Sequence, residues 1–158
     1  MSNCPGGAGV PEPPDAMPTP SEIKQALLNA GFEIYQTRGD VVHLAERVRE
    51  NLLMDSGIRV HTAQLGIVFT VRAQQSDFPG DTRDLLFERA RRLGEIATAR
   101  GFCETETRVT PILDPGDGTR TLDTCYEVSF RKDVSDVTAA LEELRFALLL
   151  EKQASRRP

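Results

Sequence analysis

Cysteine and histidine are scarce in this chain of 158 residues. Its three cysteines, Cys4, Cys103 and Cys125, form no CxxC pair. Such a sparse, odd count is typical of a reducing compartment and indicates a cytoplasmic protein without a disulfide framework. Only His43 and His61 supply imidazole groups. No metal-ligand spacing is present, so we expect no metal site, and a histidine within a strand is expected to be structural.

Long apolar runs are also missing. No segment is long enough to cross a bilayer, and no charged-then-apolar leader is present, so the sequence predicts no membrane partner. The hydrophobic share of 39% and the charged share of 27% are those of a soluble globular protein. The formal net charge of −5 makes nucleic acid an unlikely main partner, because phosphate binding needs concentrated positive charge.

Catalytic and cofactor motifs are the third absence. No Ser–His–Asp or Cys–His set can be assembled, and the glycine-rich segment at 5–9 lacks the strand, helix and Lys–Ser/Thr of a phosphate loop. The sequence therefore predicts no enzyme and no cofactor. Three glutamates, Glu104, Glu106 and Glu127, are expected on the outer face of one hairpin. We interpret them as a solvated sheet face, with a hard-cation site as the alternative.

The two ends of the chain differ from its middle. Residues 1–20 hold six of the ten prolines and three glycines. They bury too little apolar surface to fold, so we expect a disordered tail. Residues 153–158 are expected to fray. Residues 21–152 are predicted to form one domain, a length that suits a single buried core.

The stretch from Leu65 to Arg131 organises this domain. Large apolar residues alternate from Leu65 to Val71, which predicts a central strand with one buried face. A helix follows, capped at Asp81 or Thr82 and ending at Gly101. Two further strands, at 102–113 and 120–131, flank a turn at 115–118. In this hairpin Cys103 and Cys125 point to opposite faces, so we expect no disulfide between them.

In the first part of the domain, the sequence predicts a helix that is capped by Ser21 and ends at Gly31. Two strands, at 32–37 and 41–46, should pair around a turn at Gly39. A short helix is predicted at 47–56, where Val48 and Leu52 suit helical turns. The predicted fold is α+β, with an antiparallel sheet of about five strands, helices packed mainly on one face, and the order α-β-β-(short α)-β-α-β-β-α.

The last helix is the most informative element outside this centre. Val137, Leu141, Leu144 and Leu148 have the spacing of a short coiled-coil seam. Near its end, only Arg145 interrupts an apolar run, so the helix needs cover on more than one side. We therefore predict a homodimer. Its interface residues are Val137, Leu141, Leu144, Phe146, Leu148, Leu149 and Leu150. In the alternative, the chain itself covers both sides.

Without the short helix at 47–56, the element order over residues 21–152 resembles that of type III secretion chaperones and their bacterial sensory-regulator-like relatives. Those proteins are small, acidic, cytosolic homodimers. The resemblance rests on the order of elements and on no diagnostic motif. It implies a dimeric protein that binds other proteins in a bacterial cytosol.

Three functions follow from these observations. The first is a non-catalytic, dimeric, chaperone-like adaptor with a protein partner. The second is a regulatory domain that binds a small molecule at the sheet. The third is a nucleic-acid module that uses the helix at 21–30 with its hairpin, or the arginines of the central helix: Arg83, Arg89, Arg91, Arg92 and Arg100. The acidic residues among these arginines dilute their field.

Overall fold

The computed structural model describes residues 18–155, and side-chain burial for residues 18–150. It has an α+β fold with a six-stranded antiparallel sheet in the order β1-β2-β3-β4-β6-β5, so the class is as predicted and the strand count one higher. The elements are α1 (Pro20–Asn29), β1 (Ile34–Arg38), β2 (Val41–Arg49), β3 (Leu52–His61), β4 (Gly66–Gln74), a 3₁₀ turn (Gln75–Asp77), α2 (Arg83–Leu93), α3 (Glu95–Ala99), β5 (Cys103–Asp114), β6 (Asp117–Asp133) and α4 (Val137–Ser155).

The prediction of a short helix at 47–56 is wrong. These residues form the end of β2, a turn at Glu50 and Asn51, and the start of β3. The register pairs Arg47 with Leu53 and Arg49 with Leu52. Apolar residues four apart fit two paired strands as well as a helix, and here the pairing across the tight turn decides. The sixth strand comes from this hairpin.

The cap of α1 also differs from the prediction at Ser21. Thr19 is the N-cap. Its hydroxyl accepts a hydrogen bond from the backbone N–H of Glu22, and the Glu22 carboxylate accepts one from the backbone N–H of Thr19. This reciprocal capping box satisfies N–H groups that lack helical partners. Pro20 takes the first helical position, where its missing N–H costs nothing.

The chain groups into two compact units. The first contains the described residues up to Phe69 together with Arg131–Leu149. Its buried apolar side chains come from α1, from β2, β3 and β4 with the turn before β4, and from α4: Ile23, Leu27, Val42, Leu44, Ile58, Val60, Leu65, Ile67, Phe69, Ala140, Leu144 and Ala147.

The second unit contains Thr70–Phe130 and the described residues from Leu150 onward. Its helix, predicted as one element up to Gly101, is broken at Gly94 into α2 and α3. A side chain at Gly94 would lie 2.3 Å from the ring of Phe130, which packs against the break. Thr82 caps α2 as predicted, and Gly101 has a φ of 104°, as a helix end requires.

The strand β5 is the edge of the sheet on this side. Most of its residues are exposed on both faces of the strand. It contains Pro111 and is joined to β6 by a two-residue turn at Pro115 and Gly116, shorter than the predicted loop. The predicted tail at 1–20 lies mostly, and the end at 153–158 partly, outside the described residues.

Candidate functional site

The predicted interface residues of α4 lie at three levels of burial. Leu144 and Leu150 are buried, on the same side as Ala140 and Ala147. Val137, Leu141, Phe146 and Leu148 are half-buried. Leu149 is 62% exposed. The chain thus covers one side of α4 itself and leaves an outer stripe, Thr138, Glu142, Arg145 and Leu149, in solvent.

Two charged residues on this outer stripe lack partners. Among the described residues, neither Glu142 nor Arg145 takes part in an ion pair or a side-chain hydrogen bond. On the inner side, by contrast, Glu143 is buried and accepts a 2.8 Å hydrogen bond from Lys132 Nζ on β6. The ion pair with Lys132 therefore fixes the position of α4 on its inner side. On the outer side, Glu142 and Arg145 remain available to bind another molecule.

The three glutamates of the β5–β6 hairpin are paired with basic residues. Glu104 pairs with Arg91 at 2.9 Å, Glu106 with Arg108 at 3.7 Å, and Glu127 with Arg72 at 3.9 Å. Within the described part of the chain, no three His, Cys, Asp or Glu residues are grouped so that they could hold a metal ion. The cation-site alternative gains no support from this arrangement.

The arginines of α2 are largely neutralised. Arg89 pairs with Asp81 at 2.5 Å and lies over the ring of Phe78, and Arg91 is shared by Glu88 and Glu104. These carboxylates, Glu104 first, raise the pKa of Arg91. An open groove of about 540 Å³ runs beside them, lined by Arg83, Asp84, Phe87, Glu88, Arg91 and Thr107. Such paired charges give a weak field for a polyanion.

Cys125 is a free, buried thiol. Burial raises the pKa of this thiol, so it is a poor nucleophile at neutral pH. Cys103 is disulfide-bonded. Because Cys125 is free, the prediction that these two cysteines do not pair with each other is confirmed.

The end of the β2–β3 hairpin is apolar on both of its faces. Val48, Leu52, Leu53 and Met54 are all exposed, Met54 by 52%. Consecutive strand residues point to opposite faces, so Leu53 and Met54 lie on different sides of the hairpin. A single sheet or helix of the same chain cannot cover both sides. Large exposed apolar clusters of this kind mark contact surfaces. We call these four residues the apolar hairpin end.

A second feature of β2 and β3 is a group of ionisable side chains on one face. We call this the open face; it carries Val41, His43, Arg59 and His61, while Val42 and Val60 face the core. Arg59 Nε donates to His43 Nδ1 at 3.1 Å. The neutral imidazole of His43 therefore carries its proton on Nε2.

A bulge in β3 adds Asp55 to this group. If the ladder continued regularly from the His43–Arg59 pair, Asp55 would oppose Arg47; instead it opposes Ala45. Gly57 makes this possible with a φ of 81°, and its N–H donates to Asp55 Oδ1 at 2.9 Å. Asp55 Oδ2 is thereby brought to 3.5 Å from His43 Nδ1. Bulges often re-aim a side chain in this way.

At the other end of the open face, His61 pairs with Gly66 on β4. The guanidinium of Arg131 lies where a side chain at Gly66 would be, at 2.6 Å from that point. Arg131 donates through Nε to Asp133 at 2.7 Å and through Nη2 to the Gln64 carbonyl at 2.9 Å. Burial, and then Arg131 and Arg59, lower the pKa of His61.

Among the described residues, no serine, threonine or cysteine hydroxyl or thiol is hydrogen-bonded to either histidine. What the group offers is positive charge held in fixed positions. The sequence did not predict this group of side chains. The helix wrongly predicted at 47–56 would have separated the two strands, so the pairing of His43 with Arg59 was not foreseen.

No protein-family model matches the chain, and neither a curated protein nor a solved structure matches it. None of the helices in the described part is both long and apolar enough to span a membrane.

Proposed function

We propose that this chain is a non-catalytic protein-binding protein, a chaperone-like adaptor that acts as a homodimer. The observation that carries the proposal is the apolar hairpin end, exposed on both faces. The charges nearby, Glu46, Arg47, Arg49 and Glu50, are mixed in sign. They favour a protein groove of mixed polarity over an anionic lipid surface.

The dimer uses the outer stripe of α4 with its flank, Val137, Leu141 and Leu148. In a two-fold antiparallel pair, Glu142 of one copy meets Arg145 of the other, twice. Leu149 then packs over Thr138 of the second copy. The two unpartnered charges thus become complementary, and the exposed leucine becomes buried.

Light scattering after size-exclusion chromatography tests this dimer. The wild type is expected at twice the chain mass of 17.4 kDa at micromolar concentration. Arg145→Glu places like charges at both contacts and should give a monomer. The double variant Glu142→Arg with Arg145→Glu restores opposite charges and should restore the dimer. Arg38→Glu, at an exposed position on β1, is the matched control. A monomeric wild type contradicts the proposal.

Protein binding is tested separately, at the apolar hairpin end. The double variant Leu52→Ser with Met54→Ser should lose a partner that the wild type retains after crosslinking in cells. The same partner, once purified, should bind the variant at least about tenfold more weakly, as expected for losing central apolar contacts. Ile96→Ser, at another exposed apolar position, should leave binding unchanged. Equal binding by all three proteins counts against this surface.

A cytoplasmic location belongs to the same proposal. It is supported by the small number of cysteines, whereas the disulfide at Cys103 favours an oxidising compartment. Alkylation of free thiols in intact cells, followed by mass spectrometry, decides between them. A Cys103 that is fully alkylated before any reduction supports the cytoplasm.

The second candidate, a small-molecule-binding domain, is favoured by one observation, the positive open face. It does not depend on dimer formation.

A further inference from the structure

Arg59 differs from the other well-placed arginines of its unit. Arg47 pairs with Glu33 at 2.8 Å and Arg131 with Asp133 at 2.7 Å. Arg59 is half-buried, yet within the described residues it forms no ion pair, and its one side-chain hydrogen bond is that from Nε to Nδ1 of His43. In a chain with 24 acidic and 19 basic residues, a carboxylate partner is readily available. A half-buried guanidinium without one is costly, unless an anion comes from outside.

The bond to His43 also fixes which part of Arg59 is presented. With Nε occupied, the Nη1 and Nη2 end of the guanidinium is left without a partner among the described residues. This end forms the fork that binds two oxygens of one anion. His43 is buried, so it holds the fork firmly. Because an ordered donor loses little entropy on binding, this arrangement favours an anionic ligand.

His61 supplies a third donor. It lies two residues after Arg59 on the same strand and faces the same side of the sheet. Its ring nitrogens have no hydrogen-bond partner among the described residues. Arg131, held across Gly66 by Asp133 and the Gln64 carbonyl, stands beside it. The positive charges of Arg59 and Arg131 therefore flank His61. Asp133 accepts from Arg131, and Asp55 Oδ1 accepts from the N–H of Gly57.

We propose that the open face of β3 binds a small tetrahedral dianion of the phosphate or sulfate type, held by the Arg59 fork and the His61 ring beside Arg131. A planar carboxylate is satisfied by the fork alone. The additional imidazole donor, lying along the strand from the fork, matches a group with a third oxygen. The bound anion pairs directly with Arg59, which forms no ion pair within the described residues.

Sulfate is the best first probe, because its charge does not change between pH 5 and 8. Thermal unfolding is followed against sodium sulfate, with sodium chloride at equal ionic strength as the reference. We expect a saturable rise in Tm, as for a ligand that binds the native state alone. Phenyl phosphate should act in the same way, and acetate, which uses the fork alone, should need a much higher concentration for the same rise.

The variants separate a site from a general salt effect. Arg59→Gln removes the fork and Arg59→Lys keeps its charge without its geometry; both should weaken sulfate binding roughly tenfold or more. Arg38→Gln removes the same charge from an exposed position and should bind like the wild type. His61→Asn should weaken binding by a smaller factor. Urea unfolding without sulfate shows that each variant is folded.

Backbone amide shifts in two-dimensional NMR give an independent reading. Sulfate should move the signals of residues 59–61 and 66 in the wild type, and those of Arg59→Gln should stay in place. A rise in Tm that is unsaturable and equal in Arg59→Gln and Arg38→Gln overturns the site, since it reflects exclusion of sulfate from the surface. These readings involve neither α4 nor the apolar hairpin end, so failure here removes the small-molecule candidate and leaves the protein-binding proposal standing.

Discussion

At the scale of single residues, His61 links the open face to pH. Burial, Arg131 and Arg59 lower the pKa of His61 from its ordinary value of 6.5, so the folded protein prefers the neutral ring. Below pH 6.5 the unfolded chain binds this proton more readily, and stability falls as the pH falls through that value. His43 on β2 and Asp133 on β6 face the same ring, and Asp133 opposes the shift.

We expect His61→Asn to lose less stability than the wild type between pH 7.5 and 5.5. Urea unfolding at both values measures this difference, and His43 is common to both proteins. Sulfate at saturating concentration should reduce the loss in the wild type. An identical loss in the two proteins would show that His61 keeps its ordinary pKa.

Gly94 is a second residue with a specific consequence. A methyl group there would overlap the Phe130 ring, at 2.3 Å, so Gly94→Ala should lower the free energy of unfolding by about 1–2 kcal/mol despite the better helix propensity of alanine. Gly80 has open space around it, so Gly80→Ala should stay within about 0.5 kcal/mol of the wild type. Chemical denaturation compares them; equal stabilities would mean that Phe130 moves aside freely.

At the scale of elements, the ion pair between β6 and α4 fixes the rotation of the last helix. The Glu143 side chain is 5% exposed and lies 2.8 Å from Lys132 Nζ. Glu143→Gln removes the charge and should cost about 2 kcal/mol, because Lys132 is left with a weaker acceptor. Glu50→Gln, in an exposed turn, is the control and should be neutral. Equal urea midpoints would contradict a stabilising role.

Comparing the predicted elements with the observed ones shows which could be predicted from the sequence and which could not. Alternation from Leu65 to Val71 predicted the strand β4, and its positions Ile67, Phe69 and Val71 are buried. The spacing of Val48 and Leu52 fitted a helix and a hairpin equally, and only the pairing of β2 with β3 chose between them. The helix predicted at 47–56 ends just before Gly57, where β3 has a bulge instead, because an Asp-Ser-Gly sequence suits a helix end and a bulge alike.

The candidate sites likewise divide into residues that local spacing predicted and contacts that depend on tertiary packing. The apolar residues of α4 were named from spacing alone, but the side on which the chain covers them was not predictable. That side depends on the buried set Ala140, Leu144 and Ala147, which belongs to the packed unit. The Arg59–His43 contact was out of reach for a related reason: it requires the register of two strands.

At the scale of the whole molecule, a dimer makes stability depend on protein concentration. A tenfold increase in concentration should raise the Tm of the wild type by about 1–2 °C, because association favours the folded state by mass action. Arg145→Glu should show no such dependence. A scanning calorimeter run at two concentrations measures both. A Tm independent of concentration in the wild type argues against the dimer.

The edges of the sheet limit how this protein can assemble. On one side the edge is β1, only five residues long and ending in Arg38. On the other it is the long, exposed β5, in which Pro111 lacks the N–H that an added strand would need. Growth of the sheet into fibrils is thereby obstructed from both directions. The exposed apolar residues of the hairpin between β2 and β3 and of α4 then make their contacts at surfaces other than the outer edges of the sheet.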